Sequence, residues 1–247
     1  MCVLVSSYIN LYYTLTETKE LTMTIPTGTI YKRNVFPSSK YQFKIIKQVT
    51  TQAKLGKWVT KGRLKGARMY TVTFEERKTC PKSCFHWNDC YGNTMPFAHR
   101  VSTNKTTMLK MWRELTELDK KPYPILIRLH VLGDFYSVEY VQFWKMAFDT
   151  FKNIYCYGYT AYKPNTPIGK AIKKLRDSHW ERFAIRYSNM PHVELSANSE
   201  DMEVEGIVCP EQLGATKDCG TCGLCWTKTK DNIIFKTHSR QIEREQI

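Results

Sequence analysis

Residues 125–160 read ILIRLHVLGDFYSVEYVQFWKMAFDTFKNIYCYGYT. The apolar run Ile125–Leu132 predicts a strand. Val138, Val141, Trp144, Phe148 and Phe151 then recur at helical spacing, with Ser137 placed to cap that helix and Glu139 in its first turn. Ile154–Thr160 predicts the next strand. Working outward, Met108, Met111, Trp112, Leu115 and Leu118 predict a helix that Pro122 and Pro124 end, and Met69–Phe74 is β-branched and aromatic enough for a strand. Downstream, Thr166 and Pro167 suit the N-cap and first position of a helix carrying Ile168, Ala171, Ile172 and Leu175, and Phe183–Tyr187 predicts another strand.

Strands alternating with helices at this interval imply parallel pairing through right-handed crossovers. The expected fold is α/β: a partial or distorted (β/α) barrel with an N-terminal β-rich extension and a Cys-rich C-terminal metal-binding segment. The division expected is an ill-ordered extension over 1–23, a basic β-rich preface over 24–68, an α/β core over 69–198 and a Cys-rich segment over 199–247 that completes the core. Reactive groups in such folds gather at the carboxyl ends of the strands. Here those ends carry Cys80 to Cys90, His130 to Asp134, Thr160, Arg186 to Ser188 and Ser196, which are expected to face one pocket. Arg128 and His130, two apart on one strand, are expected to point the same way. Tyr155, Tyr157 and Tyr159 are expected to pack on one strand face, and His238 is a candidate strand-end site residue.

No apolar run approaches the ~20 residues that span a bilayer, and the N-terminus lacks the basic region and cleavage site of a secretory signal. A cytoplasmic location without a membrane partner is therefore expected. In a reducing compartment nine cysteines favour metal ligation over a disulfide framework. Cys209, Cys219, Cys222 and Cys225 supply four thiols whose two-residue gaps let a tight loop aim consecutive sulfurs at one centre, either zinc or an iron–sulfur cluster. Cys80, Cys84 and Cys90 supply three. A 4Fe-4S cluster on three thiolates keeps one iron free for a small ligand, whereas His86 or His99 would close a zinc site instead. A single site shared by both groups is a further arrangement.

The net charge of +14 is concentrated, with eleven Lys or Arg and no Asp or Glu between Lys32 and Arg68. Tyr31, Phe36, Tyr41, Phe43 and Trp58 are interleaved with them. Such a run favours polyanions, and a nucleic acid is the partner expected through Lys32–Arg68; a solvated face with its aromatics turned inward is the structural alternative.

Several separated blocks carry a family resemblance. They are Lys57-Trp-Val-Thr-Lys-Gly-Arg-Leu-Lys-Gly, Thr79-Cys-Pro-Lys-Ser-Cys through Cys90-Tyr-Gly-Asn-Thr-Met-Pro-Phe-Ala-His-Arg100, Arg128-Leu-His-Val-Leu-Gly-Asp-Phe-Tyr-Ser137 and the terminal block with Cys225-Trp. In this order, over about residues 50 to 240, they resemble the uncharacterised phage and prophage family called gene product 88. The resemblance implies a viral or prophage origin and action in a bacterial cytoplasm.

More distantly, a strand, a three-cysteine loop ending Cys-Tyr, a helix and a second strand ending Gly133-Asp134-Phe135 resemble the start of a radical S-adenosylmethionine barrel. That resemblance implies a cluster on Cys80, Cys84 and Cys90 whose open iron binds S-adenosylmethionine, with Gly133 and Asp134 holding the cofactor's amino group. The cysteine gaps here are three and five where the family has three and two, and the turn is Gly-Asp-Phe where the family has Gly-Gly-Glu. The functions expected are a radical S-adenosylmethionine-like enzyme acting on a nucleic acid or nucleotide or, alternatively, a non-catalytic nucleic-acid-binding protein stabilised by zinc or iron–sulfur.

Overall fold

The computed structural model describes residues 26–40 and 43–236. The expected extension over 1–23, Tyr41 and His238 lie outside the described residues.

The strands are β1 (Val35–Pro37), β2 (Lys47–Gln48), β3 (Arg68–Thr71), β4 (Arg100–Ser102), β5 (Ile125–Leu129), β6 (Ile154–Thr160), β7 (Phe183–Ser188), β8 (Ser196–Ser199), β9 (Ile207–Val208) and β10 (Ile233–Phe235). The helices are α1 (Thr107–Asp119), α2 (Val138–Thr150), α3 (Pro167–His179) and the single turn α4 (Cys219–Cys222). Both expected caps form: Ser137 Oγ accepts from Tyr140 N at 3.1 Å, and Thr166 Oγ1 from Gly169 N at 3.1 Å.

Eight strands make one mixed sheet in the order β2-β3-β5-β6-β7-β8-β10-β9, and β1 pairs with β4 beside it. Only β2 runs antiparallel to its neighbour. From β3 to β8 each new strand is added on the same side, and α1, α2 and α3 pack into one cluster on one face, as right-handed crossovers require. This is a singly wound α/β sheet. Among the described residues β2 and β9 are its edges and no pair closes a ring.

Alternation divides the side chains cleanly. Ile125, Ile127, Leu129, Ile154, Cys156, Phe183 and Ile185 face the helices and meet Met111, Leu115, Trp144, Phe148 and Ile172. Met69, Leu126, Tyr157 and Ala184 face the other way, where Val49, Leu55, Val59, Leu64, Cys219 and Trp226 cover them. Among its described residues the basic segment contributes two short strands, β1 and β2; its Val49, Leu55, Val59 and Leu64 cover the sheet face that lacks helices, while Ile45 and Ile46 join the helix-side core. Each such buried side chain contributes ~1.5–3 kcal/mol.

His130 departs from the expected alternation. β5 ends at Leu129, and His130 takes a left-handed φ of 56°. The turn sends its imidazole into the helix-side core, against Phe74, Phe135 and Tyr140, while Arg128 stays on the opposite face. Burial lowers the His130 pKa to about 3, with Arg128 adding to the shift, so the ring is a neutral core group.

Candidate functional site

At the carboxyl edge of the parallel strands lies a cavity of about 550 Å³. Its floor comes from Arg128 on β5 and Tyr159 on β6, its sides from Ser188 at the end of β7, Asn189 after it, Ala197 and Ser199 on β8 and Phe235, and its rim from His86, Asp89 and Gln212. Positions two residues further in, Leu126, Tyr157 and Ala184, belong to the apolar cluster. The same strand face is thus apolar at depth and polar at its end, where Arg128, Tyr159 and Arg186 follow. The expectation of one pocket at these strand ends holds for Val131, Ser188 and, from the Cys80 to Cys90 loop, His86 and Asp89; Cys80, Cys84, Cys90, Asp134, Thr160, Arg186 and Ser196 do not line it, whereas Arg128, which was not among the residues expected there, does. The expectation also fails for His130, which the left-handed turn removes.

Of two interior arginines, Arg77 holds the Cys80 to Cys90 loop and Arg100 the segment that follows it. Arg100 is fully buried, donates from Nε to Glu76 Oε2 at 2.7 Å and reaches the carbonyls of Gly92, Met95 and Ala98. Arg77, itself at φ 63°, donates to the carbonyls of Trp87, Asn88 and Gly28 and to Asn93 Oδ1. A loop with little regular structure takes its shape from these guanidinium forks. Glu76, Arg77 and Arg100 were not candidates on sequence, because nothing in Glu75-Glu76-Arg77 marks those charges as buried.

Gly133 and Asp134 bring the next strand end against this loop. Gly133 has φ 81°, and a Cβ there would lie 2.5 Å from Thr79 Oγ1 and 2.9 Å from Phe74 Cβ. Only glycine fits. The close approach lets Asp134 N donate to Thr79 Oγ1 at 3.0 Å, next to Cys80. The Asp134 side chain is 3% exposed, and its two oxygens accept from Phe135 N and Ala161 N, each at 2.7 Å. Burial raises its pKa to about 7 against those bonds. Burial also raises all three thiols of the loop, Cys84 to about 11, and Asp134 adds to the rise at Cys80 and Cys84.

The tail is built around a knuckle. Asp218 caps α4 by accepting from Thr221 N at 2.7 Å, and the chain then turns through Leu224–Trp226. The knuckle is fastened to the basic segment through Cys219 N to Lys54 O and Gly220 N to Leu55 O. This approach is close enough that a Cβ at Gly220 would lie 2.1 Å from Trp58 O. From the sheet, Arg186 donates to the carbonyls of Leu224, Cys225 and Thr227, and Tyr159 donates its hydroxyl to Cys225 Sγ at 2.9 Å. Cys209, Cys219, Cys222 and Cys225 line one small cavity. Burial raises the Cys219 thiol to about 12 and raises Cys225 as well.

All eight described cysteines are free thiols. Among the described residues, as they stand, no three His, Cys, Asp or Glu side chains form a group that holds a metal ion. The tail nonetheless fits a thiolate-bound metal by the chemistry of its donors: four soft ligands face one space, a hydroxyl donates to one sulfur, and the buried Arg186 beside them has no carboxylate partner among the described residues. A bound cation reverses the burial effect and takes the thiols as thiolates. Of the alternative ligands, His86 pairs with Asp89 at 3.0 Å and His99 packs on Phe36 and Phe43.

The aromatics of the basic segment divide. Phe36 and Phe43 stack on each other at 4.8 Å beneath Lys40 and Lys47, whereas Trp58 is 46% exposed with Arg68 over its ring at 4.0 Å.

Fold and site together define a singly wound α/β protein with a cavity at its strand ends and two cysteine groups among the loops around them. The family described as Gene product 88 matches residues 39–228, most of the chain, and the protein belongs to that family. No curated protein and no solved structure matches it. No helix among the described residues is long and apolar enough to cross a membrane.

Proposed function

We propose that the protein is an iron–sulfur enzyme of radical S-adenosylmethionine-like type. Cys80, Cys84 and Cys90 would hold a 4Fe-4S cluster, and Cys209, Cys219, Cys222 and Cys225 a second, closed thiolate site. The observation that supports this reading most is the meeting of two strand-end loops beside the cavity: the Gly133-Asp134 turn rests on Thr79, immediately before Cys80. A cluster on three thiolates supplies one-electron reduction to a cofactor bound at its free iron.

The chain's own residues have separate tasks in this reading. Arg77 holds the cysteine loop in shape and Arg100 the segment just after it. Gly133 and Asp134 would orient S-adenosylmethionine, with the Asp134 carboxylate already held by Phe135 N, Ala161 N and the Thr160 side chain. The cavity would take the substrate, and the eleven cations between Lys32 and Arg68 favour a nucleic acid or nucleotide. The setting implied is a bacterial host cytoplasm.

The test is anaerobic purification with iron, sulfide and zinc analysis, followed by S-adenosylmethionine and a reductant. Iron with sulfide and reductive cleavage of the cofactor are expected, and Cys84→Ala should lose one cluster and keep the tail's. A colourless protein containing only zinc would sink the enzymatic reading. The exposed Trp58 under Arg68 favours a second reading, a non-catalytic nucleic-acid-binding protein whose two cysteine groups are structural zinc or iron–sulfur sites. Its test is DNA and RNA affinity that falls steeply with salt, and no binding at low salt would count against it.

A further inference from the structure

Arg128 differs from the other interior arginines in holding no backbone carbonyl and no carboxylate among the described residues; its contacts are with Tyr157 and Tyr159. Arg100 serves Glu76 and three carbonyls, Arg77 three carbonyls and Asn93, Arg186 three carbonyls of the knuckle, and Arg182 the carbonyls of Phe148, Phe151 and Ile154. Arg176 has Asp177. Arg128 has no carboxylate partner among the described residues, and its Nε is buried without an acceptor. Its guanidinium lies over Tyr159 at 4.4 Å and Tyr157 at 5.5 Å, and part of its surface opens into the cavity.

A buried charge is costly unless an anion or a set of acceptors meets it. Stacking on tyrosine faces offsets only part of that cost. The acid on the cavity rim, Asp89, pairs with His86. Ser199, on the cavity wall, also has a buried Oγ without a partner. The remaining wall includes Phe235, set edge-on to Tyr159 at 5.4 Å, and Val131 and Ala197. A floor with a guanidinium that meets no anion among the described residues, an unpartnered hydroxyl on the wall and a lining of mixed polar and apolar groups suits a small amphipathic molecule that carries one oxyanion.

We propose that the cavity binds a small organic ligand through a single carboxylate or phosphate monoester held by Arg128. The inference rests on the enzymatic reading only in naming that ligand as substrate, since the binding itself requires no metal.

The experiment is calorimetric titration of the full chain with phenyl phosphate, phenylacetate and, as the neutral control, benzyl alcohol. At least one anion should bind and the alcohol should not; which anion binds tells phosphate from carboxylate. Arg128→Met should weaken binding by about 10- to 100-fold, the loss expected for one charge-assisted contact. Arg128→Lys, which keeps the charge but not the fork, should recover part of it and covers the case in which Arg128→Met does not fold. The proposal is overturned if neither anion binds the wild-type chain or if both variants bind as the wild type does. It is also overturned if Arg128→Met lowers only the metal content of the tail, because Cys225 would then supply the anion that Arg128 serves. A zinc-only protein that binds phenyl phosphate through Arg128 removes the enzymatic reading and leaves this one standing. An iron-loaded protein that binds neither anion does the reverse.

Discussion

Tyr159 donates its hydroxyl to the sulfur of Cys225 across 2.9 Å, while the guanidinium of Arg128 lies over the ring of the same tyrosine. One side chain thus joins the cavity floor to the cysteine knuckle. Burial keeps its phenol well above the usual range, so it remains a donor. In a metal-loaded tail that hydroxyl would stabilise thiolate charge. Tyr159→Phe removes the hydroxyl and keeps the ring, and tail metal affinity should fall by about 10- to 100-fold in a chelator competition, with metal at Cys80, Cys84 and Cys90 unchanged. Equal affinity in both proteins would mean that the hydroxyl does not serve the metal.

The α/β order was legible because Ser137, Thr166 and Pro167 punctuate it and because the apolar residues of α1, α2 and α3 keep the helical period. The tail spacing pointed to one metal centre; the four cysteines line one small cavity, but among the described residues they do not form a metal-holding group as they stand. The side of the sheet taken by His130 was not legible, since one left-handed residue reverses the alternation and local pattern does not encode it. The roles of Arg100, Arg77 and Glu76 were hidden for a related reason. Their partners are mainly backbone carbonyls of a loop, and carbonyls have no sequence signature.

The Arg100 and Glu76 pair gives the cysteine loop a measurable dependence. Arg100→Met leaves the Glu76 carboxylate buried without its cation and should cost about 3–5 kcal/mol in chemical denaturation. Adding Glu76→Gln removes the stranded charge and should return part of that loss. Limited proteolysis should show new cleavage between residues 80 and 98 in Arg100→Met, where the carbonyls of Gly92, Met95 and Ala98 lose their donor. A loop as resistant as the wild type's would contradict this dependence.

Gly133→Ala should act on the same loop from the other side. The added Cβ meets Thr79 Oγ1 and Phe74 Cβ, and the backbone must also keep a left-handed φ. A destabilisation of about 2 kcal/mol or more is expected, with metal lost from the Cys80 loop before it is lost from the tail. Thr79→Ala removes the acceptor for Asp134 N and the donor to Glu75 O without adding bulk, and should cost about 1–2 kcal/mol, less than Gly133→Ala. If the two substitutions cost the same, the close approach at Gly133 is not the constraint.

His130 predicts how stability changes with pH. Its folded pKa is lowered to about 3, against an ordinary value near 6.5, so between those values the unfolded chain binds the extra proton. Its contribution is therefore complete above pH ~7 and is lost as pH falls through 6.5 toward 3. His130→Asn is the suitable probe, because asparagine tolerates the left-handed φ of 56° and does not titrate. The substitution costs packing at every pH, but the gap between variant and wild type should narrow by about 2 kcal/mol between pH 7.5 and pH 5, ~1.4 kcal/mol for each pH unit below 6.5. Asp134, raised to about 7, favours folding at low pH in both proteins and cancels in the difference. Urea denaturation at the two pH values measures the gap. A constant gap would place a titrating, solvated imidazole where the structure has a neutral one against Phe74, Phe135 and Tyr140.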